Sequence, residues 1–259
     1  MHWGQPRRIS CRYPVRTTLL PLVRIVPPLL LFTISVWAVC SQPPPRVCTE
    51  FFDSDAVFTG TVIALRSDPD PPDSESGSSG WFYRLRVQQS FRGPTERAIE
   101  VYTGNDSARY RLELGRSYLL FARKWSDGLE IGCCGNSSYL EESADNIHQI
   151  ERIKKTKSGG EIAGRIGWGD SERYGGIRIV AVGAKQTFEA QTDRFGWFHI
   201  PVPTGNYTVH AESPGHSFVP FDLTYDDPDH IVVNPGGCPQ VQLMPEESFP
   251  PASRPRKPQ

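Results

Sequence analysis

The chain has 259 residues, with 28 Lys+Arg against 29 Asp+Glu and 38% hydrophobic residues. That length holds two modest domains, and 23 glycines with 24 prolines favour β-rich modules with many turns over helical bundles. Residues 1–38 hold five of the basic residues and no acid, so the remainder carries 23 against 29, about −6, which excludes nucleic acid as the expected partner.

The N-terminus reads as a targeting segment. Arg7, Arg8, Arg12, Arg16 and Arg24 precede the apolar run "IVPPLLLFTISVWAV" (25–39), which is short for a bilayer span and broken by Pro27 and Pro28. Val36, Trp37 and Ala38 form a cleavage pattern, which puts the mature start near Val39. A secreted or cell-envelope location follows as an expectation. Membrane association is expected only if 1–38 is retained or Cys40 is lipidated, and "WAVC" is a poor match to a lipidation signal.

Beyond the leader, "SDAVFTGTVIAL" (54–65) has strand character, and "DPDPPDSESGSSG" (68–80) is a polar loop. "WFYRLRVQQSF" (81–91) alternates Tyr83, Leu85 and Val87 with Arg84, Arg86 and Gln88, the pattern of a half-buried strand. Three more strands are predicted over 98–104, 110–114 and 117–123. A helix is predicted over 142–155, capped by Ser143, with Ile147, Ile150 and Ile153 on one face. "TKSGG" (156–160) reads as a linker. Short strands then recur about every ten residues over 161–166, 176–182, 187–192, 197–202, 206–211, 217–223, 230–234 and 240–244, a β-sandwich pattern. A disordered tail is expected over 246–259.

Cys11 lies in the leader, leaving Cys40, Cys48, Cys133, Cys134 and Cys238. In an exported chain these are disulfide candidates. Adjacent cysteines seldom bridge each other, so Cys40 and Cys48 are expected to pair with Cys133 and Cys134, in either combination. Closing so long a loop contributes on the order of 4 kcal/mol. Cys238 is left over and is expected as a buried thiol or an unmatched surface one. Seven residues between one pair and none between the other do not fit the spacing of a zinc site.

Two resemblances follow from these residues. "EIAGRI", "YGGIRIVAV" and "TDRFGWFHIPVPTGNYTV" within 161–244 resemble the carboxypeptidase regulatory-like domain, a transthyretin-like sandwich. Thr192, Asp193, Gly196, Phe198, Gly205 and Tyr207 fill its hallmark positions. Independently of the family, Asp193 with Gly196 suits a hairpin turn, Gly205 with Asn206 suits the next, and Phe198 and Tyr207 offer core area. Residues 40–155 resemble the netrin-like module of the tissue inhibitors of metalloproteinases. Its features here are the N-terminal cysteine pair, "SDAVFTGTV" (54–62), "FRG" (91–93), "LGRSYLLFA" (114–122), then a cysteine and a helix. Those inhibitors begin Cys-x-Cys, whereas seven residues separate Cys40 from Cys48, and Cys133–Cys134 doubles a single family cysteine. The resemblance implies an OB-type five-stranded barrel with one packed helix. It also implies that Cys40, as a mature N-terminus, would coordinate a protease zinc through its α-amine and carbonyl. Processing before Val39 would block that terminus.

No G-x-S-x-G, H-E-x-x-H or phosphate-binding glycine loop occurs. His199 and His210 fall on neighbouring predicted strands and are expected as exposed strand residues rather than a metal pair. "YDDPDH" (225–230) reads as a solvated loop rather than a Ca²⁺ site. Asn105, Asn136 and Asn206 head glycosylation sequons. The expected architecture is therefore mainly β: an OB-type barrel over 39–155, then a seven- to eight-stranded transthyretin-like sandwich over 161–245. The expected role is non-enzymatic binding or scaffolding without cofactor or metal, toward an extracellular protein or carbohydrate. Metalloprotease inhibition through Cys40 is the alternative.

Overall fold

A computed structural model describes residue 40 and residues 44–68, 79–105, 109–126, 128–167, 172–221 and 226–248. The leader at 1–38, most of the 68–80 loop and the tail beyond residue 248 lie outside them. No helix among the described residues is long and apolar enough to cross a membrane.

The first half is built from β1 (Ala56–Asp68), β2 (Gly80–Arg92), β3 (Ala98–Gly104), β4 (Ser117–Trp125), β5 (Gly128–Glu130) and the short β6 (Ser138–Tyr139). The order β1-β2-β3-β5-β4 closes on itself because β4 also pairs with β1, giving a five-stranded barrel with β6 beside β4. The β3–β5 pairing is parallel. Alternation explains the closure. Tyr118, Leu120 and Ala122 of β4 point into the barrel beside Phe58, Tyr83 and Leu85. Leu119 and Phe121 point outward into a second core under the helices. A strand buried on both faces has to read as a continuous apolar run, as "YLLFA" does.

Two helices cover that outer face. The helix expected over 142–155 is α2 (Ala144–Lys155), and a short α1 (Val47–Asp53) precedes the barrel. Val47 and Phe51, one turn apart on α1, share the outer core with Ile150 and Ile153. Ser143 does not cap α2 with its side chain: it is buried, and its hydroxyl donates to the Tyr139 carbonyl at 2.7 Å.

The strand expected over 110–114 is absent from the described structure, and the fifth strand is Gly128–Glu130. Of the alternating residues Tyr110, Leu112 and Leu114, only Leu112 is fully buried, and Leu114 is 65% exposed. The Glu113 N–H donates to the Tyr118 hydroxyl rather than to a neighbouring strand.

The second half is a sandwich of two four-stranded sheets, the eight strands that the spacing predicts. One sheet has the order β10 (Trp197–Val202), β7 (Gly160–Ile166), β14 (Gln240–Pro245), β12 (Phe218–Pro220). The other runs β13 (Ile231–Val233), β11 (Gly205–Glu212), β8 (Arg178–Gly183), β9 (Thr187–Gln191). Inward residues such as Ile162, Phe198 and Ile200 meet Ile179, Tyr207 and Val209 between the sheets. Each strand supplies every second residue to that core, as β10 does with buried Phe198, Ile200 and Val202.

Candidate functional site

The cysteines lie where α1, the 133–138 segment and the sandwich converge. Cys40 is bonded to Cys134 and Cys48 to Cys238. The first bridge is one of the expected combinations. The second corrects the expectation: Cys238 is no leftover thiol, and Cys133 stays outside both bridges. The reason is register. β14 runs beside β7, and the Gly236–Gly237 turn before it rests against α2 and Phe52 of α1. This delivers Cys238 to α1, where Thr49 donates its hydroxyl to the Cys238 carbonyl at 2.7 Å. Cys133 points inward and is buried, whereas Cys134 is exposed.

The same junction carries polar links. The Arg46 N–H donates to Gln240 Oε1 at 3.1 Å, and its guanidinium pairs with Glu161 of β7. Arg46 and Glu161, together with Cys48, Arg152, Thr156 and Cys238, line a cavity of 330 Å³ between the two halves. On the barrel side Glu50 is buried in α1. Its Oε2 accepts the Asn136 backbone N–H and the Asn136 Nδ2–H, each at 2.6 Å. Burial raises the Glu50 carboxyl above its ordinary range, and the two Asn136 bonds oppose that rise. The Asn136 side chain also donates to the Pro45 carbonyl at 2.8 Å, so this sequon nitrogen serves as a structural donor. Asp53 closes the cluster. Its carboxyl is pushed up to about 6, first by burial and then by the charge of Asp226 in the sandwich, while Arg123 and Arg92 pull it down.

The sandwich hallmark residues are scaffold. Asp193 Oδ1 accepts the N–H groups of Phe195 and Trp197, each at 2.9 Å, and Gly196 takes φ +83° with Ile166 O 2.5 Å from where a Cβ would sit. The turn is not a hairpin, because β9 and β10 belong to opposite sheets. Gly205 and Asn206 are likewise not a turn: they pair with Val233 and Val232 inside β11, and residues 203–204 cross between the sheets. Phe198 and Tyr207 are buried as expected. His199 and His210 lie exposed on strands of opposite sheets, so the two are not neighbours. In the acidic loop, Asp227 accepts from the Asp229 N–H and pairs with the His230 ring, and Asp226 accepts the Gln240 N–H. Those carboxylates are engaged within the protein.

The outer face of the barrel carries a feature that sequence reading missed. Arg66, Phe82 and Tyr102 occupy directly paired positions on β1, β2 and β3. The Arg66 guanidinium lies 3.6 Å from the Phe82 ring centroid. Phe82 and Tyr102 are 5.0 Å apart, and Trp125 stacks on Tyr102 at 4.6 Å and 8°. The row ends at Trp125, which is 44% exposed. Arg66 is also held by Glu100 at 2.8 Å. "WFY" places aromatics on both faces of β2, so alternation alone could mark Phe82 as outward. Its neighbours depend on inter-strand register, which the sequence does not state. The chain matches no family model and no curated protein.

Proposed function

We propose that this protein is an exported, non-enzymatic binding protein, a netrin-like barrel joined to a carboxypeptidase regulatory-like sandwich, that recognises an extracellular protein through the outer barrel face. The observation that carries this reading is the row Arg66–Phe82–Tyr102–Trp125. Aromatic and arginine side chains dominate binding energy at protein interfaces, and the rings bury large area with few rotatable bonds. Here they are pre-ordered: each ring is fixed by the next, and Tyr102 is tied to the Ser79 carbonyl at 2.8 Å. Two disulfides fit an oxidising, extracytoplasmic location.

The test is chemical cross-linking of the purified protein in the extracellular fraction of its source, with Trp125→Ala and Arg66→Ala in parallel. A partner captured by the parent and lost in both variants, at unchanged melting temperature, supports the reading. Equal capture by all three sinks it.

A second reading, inhibition of a metalloprotease, has one observation in its favour: Cys40 is anchored to Cys134. A chain beginning at Cys40 would then present a fixed α-amine and carbonyl to a zinc ion. The mass of the N-terminal peptide of the exported protein separates the readings. A start at Cys40 supports inhibition, and a start at Val39 removes it.

A further inference from the structure

Three sulfurs meet at the edge of the barrel. The Sγ atoms of Cys40, Cys133 and Cys134 all lie within 4.8 Å of one another, and Cys133 Sγ is 3.8 Å from Cys134 Sγ. Two of them form the Cys40–Cys134 bridge, and the third keeps its thiol. The thiol of Cys133 is buried, while the bonded Cys134 is exposed. The sequence alone leaves Cys40 with two equally placed partners, and the structure keeps both within reach.

We propose that Cys133 and Cys134 exchange for the bond to Cys40, and that the thiol thereby released on Cys134 is a surface site for modification by small-molecule disulfides. In the first step the Cys133 thiol gives its proton to solvent and the thiolate attacks Cys40 Sγ. A Cys40–Cys133 bond forms, the Cys40–Cys134 bond breaks, and the electron pair leaves on Cys134 sulfur. Disulfide number is unchanged, so the step needs neither oxidant nor reductant. In the second step the Cys134 thiolate attacks a disulfide RSSR, forming a Cys134–SR bond and releasing RS⁻.

Geometry selects this direction. Attack on Cys134 would join neighbours whose Cα atoms are held about 3.8 Å apart by one trans peptide, short of the range of about 4.4–6.8 Å that a disulfide favours. Attack on Cys40 has no such conflict, since Cys134, next to Cys133 in the chain, already reaches Cys40 at a Cα separation of 5.6 Å. The sulfurs form a triangle rather than a line, so Cys133 must rotate about its Cα–Cβ bond to attack along the S–S axis. Solvation favours the outcome, because a leaving thiolate is hydrated at Cys134 and desolvated at Cys133.

The experiment incubates the folded protein with oxidised glutathione, digests it without reduction, and fragments the peptide holding Cys133 and Cys134. The expected product is one glutathione on Cys134 with Cys40 linked to Cys133. Cys133→Ser is expected to take no glutathione on this peptide. Cys134→Ser is expected to bridge Cys40 to Cys133 and also take none. An adduct on Cys133, an adduct that appears only after denaturation, or two modifiable thiols in Cys134→Ser each overturns the proposal. The parent's adduct position decides the matter even if a variant does not fold.

Discussion

Cys48, in the second position of α1, is bonded to Cys238, 190 residues later, just before the strand that runs parallel to β7. The bond joins the barrel's helical cover to the sandwich and is buttressed by Thr49, whose hydroxyl reaches the Cys238 carbonyl. It closes most of the chain into one loop. In the chain-entropy view such a loop restricts the unfolded state by about 5 kcal/mol. The double variant Cys48→Ser, Cys238→Ser is therefore expected to lose several kcal/mol and to separate one unfolding transition into two. Calorimetry and limited proteolysis at residues 156–160 read this out. A single unshifted transition would show that the other junction contacts hold the halves together unaided.

Asp53 makes the junction sensitive to pH. Its carboxyl is pushed up from 3.8 to about 6, and burial and the Asp226 charge are the two largest raising influences. Asp226 is raised as well, again with burial first. A folded pKa above the unfolded one means that the native state binds more protons in that window. The contribution of Asp53 to stability is thus most favourable below about pH 4 and declines as pH rises through about 6. The side chain is 36% exposed and Arg123 stands 3.7 Å away, so solvent and that cation soften the effect. Asp53→Asn is expected to raise the melting temperature near neutral pH, with the gain shrinking to nothing near pH 4. A loss at neutral pH would mean that the Arg123 pair outweighs burial.

Periodicity made the sandwich legible, because strands such as β10 and β11 have one face in the core and so alternate. It could not reveal that β9, β10 and β11 switch sheets at each turn. Asp193, Gly196 and Gly205 satisfy turn chemistry equally well for a hairpin and for a crossing. In the barrel the apolar runs of β1 and β4 identified strands, but the three-residue β5 is too short to carry a pattern. The alternation at 110–114 imitated a strand although, of its apolar residues, Leu112 alone is fully buried. Cysteine pairing was half legible. Avoiding a vicinal bridge pointed Cys40 to Cys133 or Cys134 without choosing between them, whereas Cys48 with Cys238 depends on how two modules dock, and that is absent from any local window. The aromatic row needed register for the same reason.

Tyr207 tests the sandwich core. Its ring is 6% exposed and packs edge-on against Phe188 at 6.0 Å, and its hydroxyl donates to the Pro203 carbonyl at 2.8 Å. Tyr207→Phe removes only the hydrogen bond and is expected to lower stability by about 1 kcal/mol. Tyr207→Ala also empties the space between the sheets and is expected to remove about 3–5 kcal/mol. Denaturant titration of both variants gives the difference. A loss below about 1 kcal/mol for the alanine variant would contradict the core assignment.

Asn136 and Glu50 give the sharpest test of the barrel side of the junction. One carboxylate oxygen receives two donors from one residue, in a place where Gly135 leaves room for Glu50 and for no side chain of its own. Asn136→Asp keeps the backbone donor and the shape but replaces the Nδ2–H with an oxygen. Two carboxyl groups then face each other in a buried site, and one of them must be protonated or leave. The expected loss is about 3 kcal/mol near neutral pH, falling as the pH drops far enough to protonate the pair. Asn136→Ala, which only removes the donor, is expected to lose about 1–3 kcal/mol. Since burial already raises Glu50, losing that donor should raise it further. Both variants are therefore expected to recover toward the parent as pH falls, the aspartate variant by more. Equal losses at every pH would mean that packing around Asn136, rather than its bonds to Glu50, sets the stability of this corner.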